Sequence, residues 1–570
     1  MCGICGGNDI KRDYAGAIEI IKHRGPDGIK VERYNDVTLC FCRLSIIDLS
    51  EGAMQPMSSN DGKVHIVFNG EIYGYKELRD RLKRDYNYKF MTTSDTEIIL
   101  ALYSIYGQRF VDYIDGMFAI AIYDERSDIL SLYRDRVGIK PLYYYYDGKK
   151  IMFSSELKAL RFMLDSSEKK IDKSALYDFF SYGYVPDPKT PYCNVFKLNP
   201  GSYIKYNLKK NTIIEKNSYW GFKINTKKHG TRNINDIQDE YRFLVNESVR
   251  DQLVADVPVG VFFSGGVDSS IIAYESRSIH ENIKTYSIGF KESKYSEDTF
   301  ISKFANELNV ANHLDILGMD ELNEEIYMAY ADWFDEPYDD LTAIPTYLLS
   351  RQAVKNVKVA LSGDGNDELF GGYSHQKTYY DWEKRGIKEK IKYSIEKNIS
   401  GSGLLKDVES GLLFYASMYG CIPDKYRKIQ KRDLGLHEDY DEYWFIRENW
   451  NTELPTYSRA RYADFKTYLV GDILPKTDRS SMAVSLEVRV PFLSKKLVEF
   501  AFSLAEEECN AAGEMKAMVK TAYKGDLSEE LLYRQKHGFT IPHTSFRSTK
   551  IRGFGRRYCL YRDFWVYMSD

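Results

Sequence analysis

The chain has 570 residues, 43% apolar and 28% charged, with a formal net charge of −4. That length exceeds a single core and predicts two or three domains of globular composition. No basic tract supports nucleic-acid binding, and no apolar run reaches the ~18 residues of a membrane span.

The N-terminus, Met-Cys-Gly-Ile-Cys-Gly-Gly, lacks the basic and apolar regions of a secretory signal. A cytoplasmic protein is therefore expected, its eight cysteines (2, 5, 40, 42, 193, 421, 509 and 559) reduced. Cys2 follows the initiator methionine, and a small residue there permits methionine removal, leaving an N-terminal cysteine. Its α-amine, titrating near pH 8 and about 2 units below a lysine, is able to take the thiol proton; the resulting thiolate attacks carbonyls. A second reading is open: Cys2-x-x-Cys5 with Cys40-x-Cys42 would supply four thiolates to zinc in a non-catalytic, nucleotide-binding protein.

Leu39 to Ile47 reads as a strand with Arg43 among apolar residues, suited to a rim ion pair or to forking onto a carboxylate. Val64 to Phe68 reads as a strand ending in Asn69-Gly70-Glu71, where the Asn69 amide and the Gly70 N–H suit an oxyanion hole. Thr93 to Glu97 opens a helix over Ile98 to Tyr106, with Asp95 in the place of an N-cap. Further strands are expected at Met117 to Tyr123, Ile129 to Tyr133, Leu142 to Tyr146 and Lys150 to Ser154.

Cys2-Gly3-Ile4, His23-Arg24-Gly25-Pro26-Asp27, Arg43-Leu44-Ser45-Ile46-Ile47-Asp48, Asn69-Gly70-Glu71-Ile72-Tyr73 and Ser94-Asp95-Thr96-Glu97 occur in that order. The set resembles the class II glutamine amidotransferase domain, an N-terminal-nucleophile (Ntn) hydrolase with an αββα sandwich. The resemblance implies that Cys2 is the nucleophile, its amine the base, and Asn69 and Gly70 the oxyanion hole. It also implies that Arg43 holds the glutamine α-carboxylate and that Glu71 and Asp95 hold the α-amine end. Ammonia freed in water is protonated and lost as a nucleophile, so a second site is expected in the same protein.

Lys205 to Asn235 is rich in Lys, Asn and Thr with weak periodicity, which sets the expected division: residues 2–205, a linker over 206–235, and a second domain over 236–570. A helical pattern from Ile237 leads into Val259-Gly260-Val261-Phe262-Phe263-Ser264-Gly265-Gly266-Val267-Asp268-Ser269-Ser270. Strand, glycine-rich turn and helix N-terminus make an anion site, with hydroxyls from Ser264, Ser269 and Ser270. The bland alternative is an ordinary strand-to-helix turn. The lysine of a Walker A loop is missing, which excludes a P-loop kinase or ATPase. Asp268 inside an anion site implies an accompanying cation, as in Mg2+–pyrophosphate.

Strands are also expected at Thr285 to Phe290 and at Val357 to Leu361, the latter running into Ser362-Gly363-Asp364-Gly365-Asn366-Asp367-Glu368. Helical stretches separate the strands, so a parallel sheet is expected, its loops converging at the carboxyl ends. The bland alternative for the third loop is an acidic surface turn. In the converged arrangement Asp268 and Asp367 would share Mg2+. A phosphate loop without lysine suits release of pyrophosphate: a carboxylate attacks the α-phosphorus, and ammonia then displaces AMP from the acyl-adenylate.

This half resembles the synthetase domain of glutamine-hydrolysing asparagine synthetases, an N-type ATP pyrophosphatase with an adenine-nucleotide α-hydrolase-like α/β fold and additional helices. The resemblance implies that Phe262 and Ile288 line the adenine and ribose pocket and that Ser362 and Gly363 touch the nucleotide. Gly513 to Lys520 with Arg534-Gln535-Lys536 is similar to the family's lysine segment, so Lys516 would balance charge at the α-phosphate; read alone, it is a solvated helix lysine. Asp472 to Pro491 is taken as scaffold. The implied substrates are glutamine, ATP and L-aspartate, with no nucleic-acid or membrane partner, and a homodimer is compatible.

Two positions depart from the family pattern. Asp364, which the resemblance ties to adenylate formation, stands where asparagine-forming members carry Glu, and Asp339 to Thr346 lacks an Arg that they place near Leu341. The runner-up reading is therefore amidation of another carboxylate, such as a uronic acid of a surface-polysaccharide precursor.

Overall fold

The computed structural model describes residues 1–291, 297–318, 321, 324–386, 388–390, 392, 411–418 and 430–534. Gln535, Lys536 and cysteines 421 and 559 lie outside the described residues. The N-terminal half holds two six-stranded antiparallel sheets. In spatial order the first is Val195–Lys197, Tyr143–Tyr146, Ile151–Ser154, Gly3–Gly7, Val37–Arg43 and Gly28–Tyr34. The second is Thr212–Ser218, Ser202–Asn207, Ile129–Arg134, Asp115–Asp124, Val64–Tyr73 and Met57–Ser58.

Alternation along each strand decides which side chains enter the space between the sheets. Ile4, Leu39 and Phe41 from the first meet Val67, Ala121 and Leu132 from the second. The outer face of the first sheet packs on helices Tyr14–Ile20 and Leu157–Met163, and that of the second on Tyr75–Tyr86 and Asp95–Tyr106. The layers are helix, sheet, sheet, helix, as expected of an Ntn hydrolase.

The same two-residue period overturns the zinc reading. Cys5, Cys40 and Cys42 share the outer face and pack among Tyr14, Ile18 and Met152. Cys2, by contrast, lines a cleft with Phe41 and Arg43. Among the described residues no group of three or more His, Cys, Asp or Glu is placed to hold a metal ion.

The C-terminal half contains a five-stranded parallel sheet in the order Ala311–Leu317, Lys284–Phe290, Val259–Phe262, Val359–Leu361, Glu487–Arg489. From the central strand Val259–Phe262 the chain first adds two strands on one side and then crosses to the other. The crevice at this reversal, beyond the carboxyl ends, is where such sheets take ligands. The loops after Phe262 and Leu361 both open there.

Three elements differ from expectation. Asn69-Gly70-Glu71 is not a strand end but the middle of Val64–Tyr73. Gly70 lies so close to the Met117 carbonyl that any Cβ would collide with it, so glycine lets the ladder continue. Ala311–Leu317 escapes notice because it is a half-exposed edge strand with Asn312, His313 and Asp315 among its apolar residues. The stretch 206–235 contains the edge strand Thr212–Ser218, whose Lys and Asn face solvent. No helix among the described residues is long and apolar enough to cross a membrane.

Buried ion pairs join the halves. Arg24, fully buried, lies 2.9 Å from both Glu156 and Asp478, and Arg479 lies 3.0 Å from Glu156 and 3.3 Å from Asp335. Such networks add little net stability, because desolvation offsets their attraction, but a mispaired docking would strand a buried charge.

Candidate active site

The first cleft is lined by Cys2, Arg43, Gly70, Glu71 and Asp95, together with Leu44, Gln55 and Thr96. Four elements of the first half supply them: the N-terminal strand edge, the end of Val37–Arg43, the middle of Val64–Tyr73 and the start of Asp95–Tyr106. The Cys2 backbone N–H donates to Asn69 Oδ1 at 3.0 Å, and Leu44 N–H donates to Cys2 Sγ at 3.5 Å. The Asn69 amide nitrogen is buried and has no hydrogen-bond partner. An unspent amide donor beside a thiol suits a developing oxyanion, since it meets charge in the transition state without breaking a prior bond.

Burial, opposed by the nearby N-terminal ammonium and the Leu44 N–H, pushes the Cys2 thiol up to about 11. At neutral pH it is therefore a thiol, and attack requires a base at its side. Arg43 is anchored through Ser50 O at 2.6 Å and through Asp48 O, so its guanidinium is fixed at the rim.

Asp95 is not the helix cap. Ser94 caps the helix by accepting from Thr96 N–H at 3.2 Å, while Asp95 Oδ2 accepts from Ile72 N–H at 3.0 Å. Burial, then the charge of Glu487, raises the Asp95 carboxyl to about 6. Burial and Glu487 also push Glu71 upward, against the pull of Arg489. Two buried carboxyls facing one cleft favour a cationic ligand there.

The second site is the crevice. Gly265 has φ +69°, a left-handed turn that glycine adopts without strain, and Gly266 caps the helix Val267–Ile279. Ser264 N–H donates to Ser269 Oγ at 3.2 Å, and Ser269 donates to Gly266 O at 3.1 Å, so Ser269 braces the turn. The Ser270 hydroxyl is buried without a partner.

The third loop presses against the first. A Cβ on Gly363 would stand 2.9 Å from Asp268 Cβ and 3.0 Å from Ser269 N. Asn366 donates to Asp268 Oδ1 at 2.6 Å. Lys516 donates to both Asp268 oxygens, at 2.7 and 2.5 Å, and pairs with Asp367 as well. Lys516 is thus no solvated helix lysine: it is 6% exposed and precedes its helix in the left-handed region at φ +55°. A non-glycine residue held there is strained and persists because the ion pairs fix it. Asp364 accepts from the Ser362 and Thr477 hydroxyls, both at 2.8 Å. Phe262 and Ile288 lie together in one apolar cluster beside the crevice.

The match to known proteins follows the same division. Residues 1–220 fit the family model described as glutamine amidotransferase domain, and residues 240–559 fit the model described as asparagine synthase. The chain belongs to the asparagine synthase family. It is 35% identical over 546 residues to asparagine synthetase [glutamine-hydrolyzing] 1 of Bacillus subtilis (strain 168), covering 92% of this chain and 83% of that protein. It is 36% identical over 399 residues to a putative asparagine synthetase [glutamine-hydrolyzing] 2 of Methanocaldococcus jannaschii, covering 65% and 76%. A third relative, amidase chry2 of Gibberella zeae, is 29% identical over 532 residues, covering 85% and 77%.

In this member of the asparagine synthase family, three residues at the sites escaped the sequence reading. Thr477 reaches Asp364, and its neighbour Lys476 lies 3.5 Å from Asp340. Arg489, in the stretch taken as scaffold, lies 3.3 Å from Glu71. A signal existed for Arg489: a charged residue between Val488 and Val490 in an apolar run needs buried partners.

Proposed function

We propose that this enzyme makes asparagine: glutamine is hydrolysed in the first cleft, ATP adenylates the aspartate side chain in the crevice, and ammonia displaces AMP. Glutamate, AMP and pyrophosphate are the other products. The observation that carries the reading is the cleft itself, where Cys2, Arg43, Gly70, Glu71 and Asp95 converge beside the unspent Asn69 amide.

In this account Arg43 forks onto the glutamine α-carboxylate, and Glu71 and Asp95 take its ammonium. With Met1 removed, the Cys2 amine accepts the thiol proton as sulfur attacks the side-chain carbonyl. Asn69 and the Gly70 N–H stabilise the oxyanion. The expelled ammonia leaves a thioester that water hydrolyses. In the crevice, Ser264 to Ser270 cradle the pyrophosphate, Ser362 and Gly363 contact the nucleotide, and Phe262 and Ile288 face adenine and ribose. Lys516 would pass from its present carboxylate partners to the α-phosphate.

Asp268 and Asp367 are hard-oxygen donors close enough to share one ammonium. That donor set fits Mg2+, which the two carboxylates would hold and which would supply positive charge to offset the pyrophosphate. Asp364, tethered by Ser362 and Thr477, is assigned to adenylate formation.

The two working units span residues 2–205 and 236–570, and the link between them carries one edge strand that stays with the first. We place the enzyme in the cytoplasm, and a homodimer is compatible with this reading.

Incubation with ATP, Mg2+, glutamine and aspartate is expected to yield asparagine and AMP in equal amounts. Glutaminase activity without aspartate-dependent AMP would sink the aspartate assignment. Amidation of a different carboxylate, such as a uronic acid, is favoured by Asp364 and by the missing arginine near Leu341. In its place Lys476, next to Thr477 and 3.5 Å from Asp340, would be the cation for an acceptor carboxylate.

A further inference from the structure

Arg489 ends the strand Glu487–Arg489 and is 1% exposed. One guanidinium nitrogen lies 3.3 Å from Glu71 Oε1, in the wall of the glutamine cleft. Nε donates to Glu487 Oε1 at 2.7 Å, and the remaining nitrogen donates to Gln252 O and Val254 O, both at 2.7 Å. Gln252 ends the helix Ile234–Gln252 and Val254 lies just past its cap, where the dipole favours a cation. The backbone carbonyl of the same residue accepts from Ser362 N–H at 2.8 Å, at the start of the loop that carries Gly363 and Asp364.

One residue therefore touches the first site with its side chain and holds the second with its backbone. A parallel connection runs beside it. Asp256 N–H donates to Ile46 O at 3.0 Å, and Asp48 N–H donates to Asp256 Oδ2 at 2.8 Å. Asp48 is also a carbonyl anchor of Arg43.

We propose that Arg489 is a positioning residue that holds Glu71 for the glutamine ammonium and couples occupancy of the glutamine cleft to the Ser362–Asp364 loop. A ligand ammonium arriving at Glu71 competes with the guanidinium for the same carboxylate. Any shift of Arg489 reaches Ser362 through a single peptide hydrogen bond. Arg489 is also what opposes the upward push on the Glu71 carboxyl from burial and from Glu487. A lysine keeps the charge but not the fork that serves Glu71, Glu487 and the helix carbonyls together.

The inference rests on the amidotransferase reading above, and the test separates the two. Wild type, Arg489→Lys and Glu71→Gln are assayed with ATP and aspartate, using glutamine or ammonium chloride as nitrogen donor. Glu71→Gln leaves Arg489 and its carbonyl partners in place, which guards against a variant that fails to fold. The expected result is a higher KM for glutamine and a glutamate-to-asparagine ratio raised about tenfold in both variants, within the range of ordinary site–site coupling. Ammonia-dependent synthesis should fall much less. In the double variant the effects should be less than additive, since both remove one contact. Equal losses with glutamine and with ammonia would mark a structural role and overturn the proposal, as would a wild-type product ratio in Arg489→Lys. Absence of asparagine and AMP from the wild type would instead overturn the aspartate reading.

Discussion

The two sites are built on opposite plans. The glutamine cleft is partly unsatisfied: strands and a helix start supply its residues, and the Asn69 amide is left without a partner. The nucleotide crevice balances its charges internally, with Lys516 bridging Asp268 and Asp367 and Asn366 bonded to Asp268. A site that handles one neutral amide benefits from donors aimed in advance at the oxyanion. A site that takes a polyanion with its metal would hold strongly repelling carboxylates when empty, and an internal lysine offsets that repulsion until the ligand replaces it.

Removing the proposed nucleophile would break one side of this comparison most completely. Cys2→Ala should abolish glutamine-dependent synthesis while synthesis from ammonium chloride survives, measured as asparagine formed from either donor. Asn69→Ala should lower glutaminase kcat by ~10²–10³-fold, the cost of one oxyanion-hole donor, with a smaller change in KM.

Lys516→Met should cut aspartate-dependent pyrophosphate exchange by on the order of 10²-fold, as expected for loss of a preorganised charge. It should also lower thermal stability in the absence of ATP, because two carboxylates then face each other. Unchanged stability would break the view that the empty crevice is self-neutralised.

The smallest effect is one of pH. Asp95 has an ordinary value of 3.8 and a native value of about 6, so the native protein holds the proton more tightly than the unfolded chain. Its contribution to stability is therefore full below the lower value and is lost as pH rises through the interval between them. On the proposed reading glutamine binding runs the other way, since its ammonium would need the carboxylate. The KM for glutamine should rise as pH falls through about 6, and Asp95→Asn should flatten that limb of the profile.

The layered fold and both loops were legible because strand alternation, glycine-rich turns and helix starts leave local marks. Asp95 reads alone as a cap because an aspartate at a helix start suits one, and only the structure shows that Ser94 fills the cap. Lys516 was misread alone because its partners lie 248 residues away at Asp268. Arg489 was passed over for a similar reason: its value lies in joining Glu71 to Ser362, and no local pattern encodes a contact between halves.

The buried first residue sets an order of events in synthesis. The Met1 ammonium donates to Glu487 Oε2 at 2.6 Å, with both side chains inaccessible. Glu487 belongs to a strand of the C-terminal half, translated long after Cys2. Once the halves dock, no aminopeptidase reaches Met1. In the proposed reaction, the trimming that unmasks the Cys2 amine would therefore precede docking, and a molecule that escaped it would be folded, able to use ammonia, and unable to use glutamine.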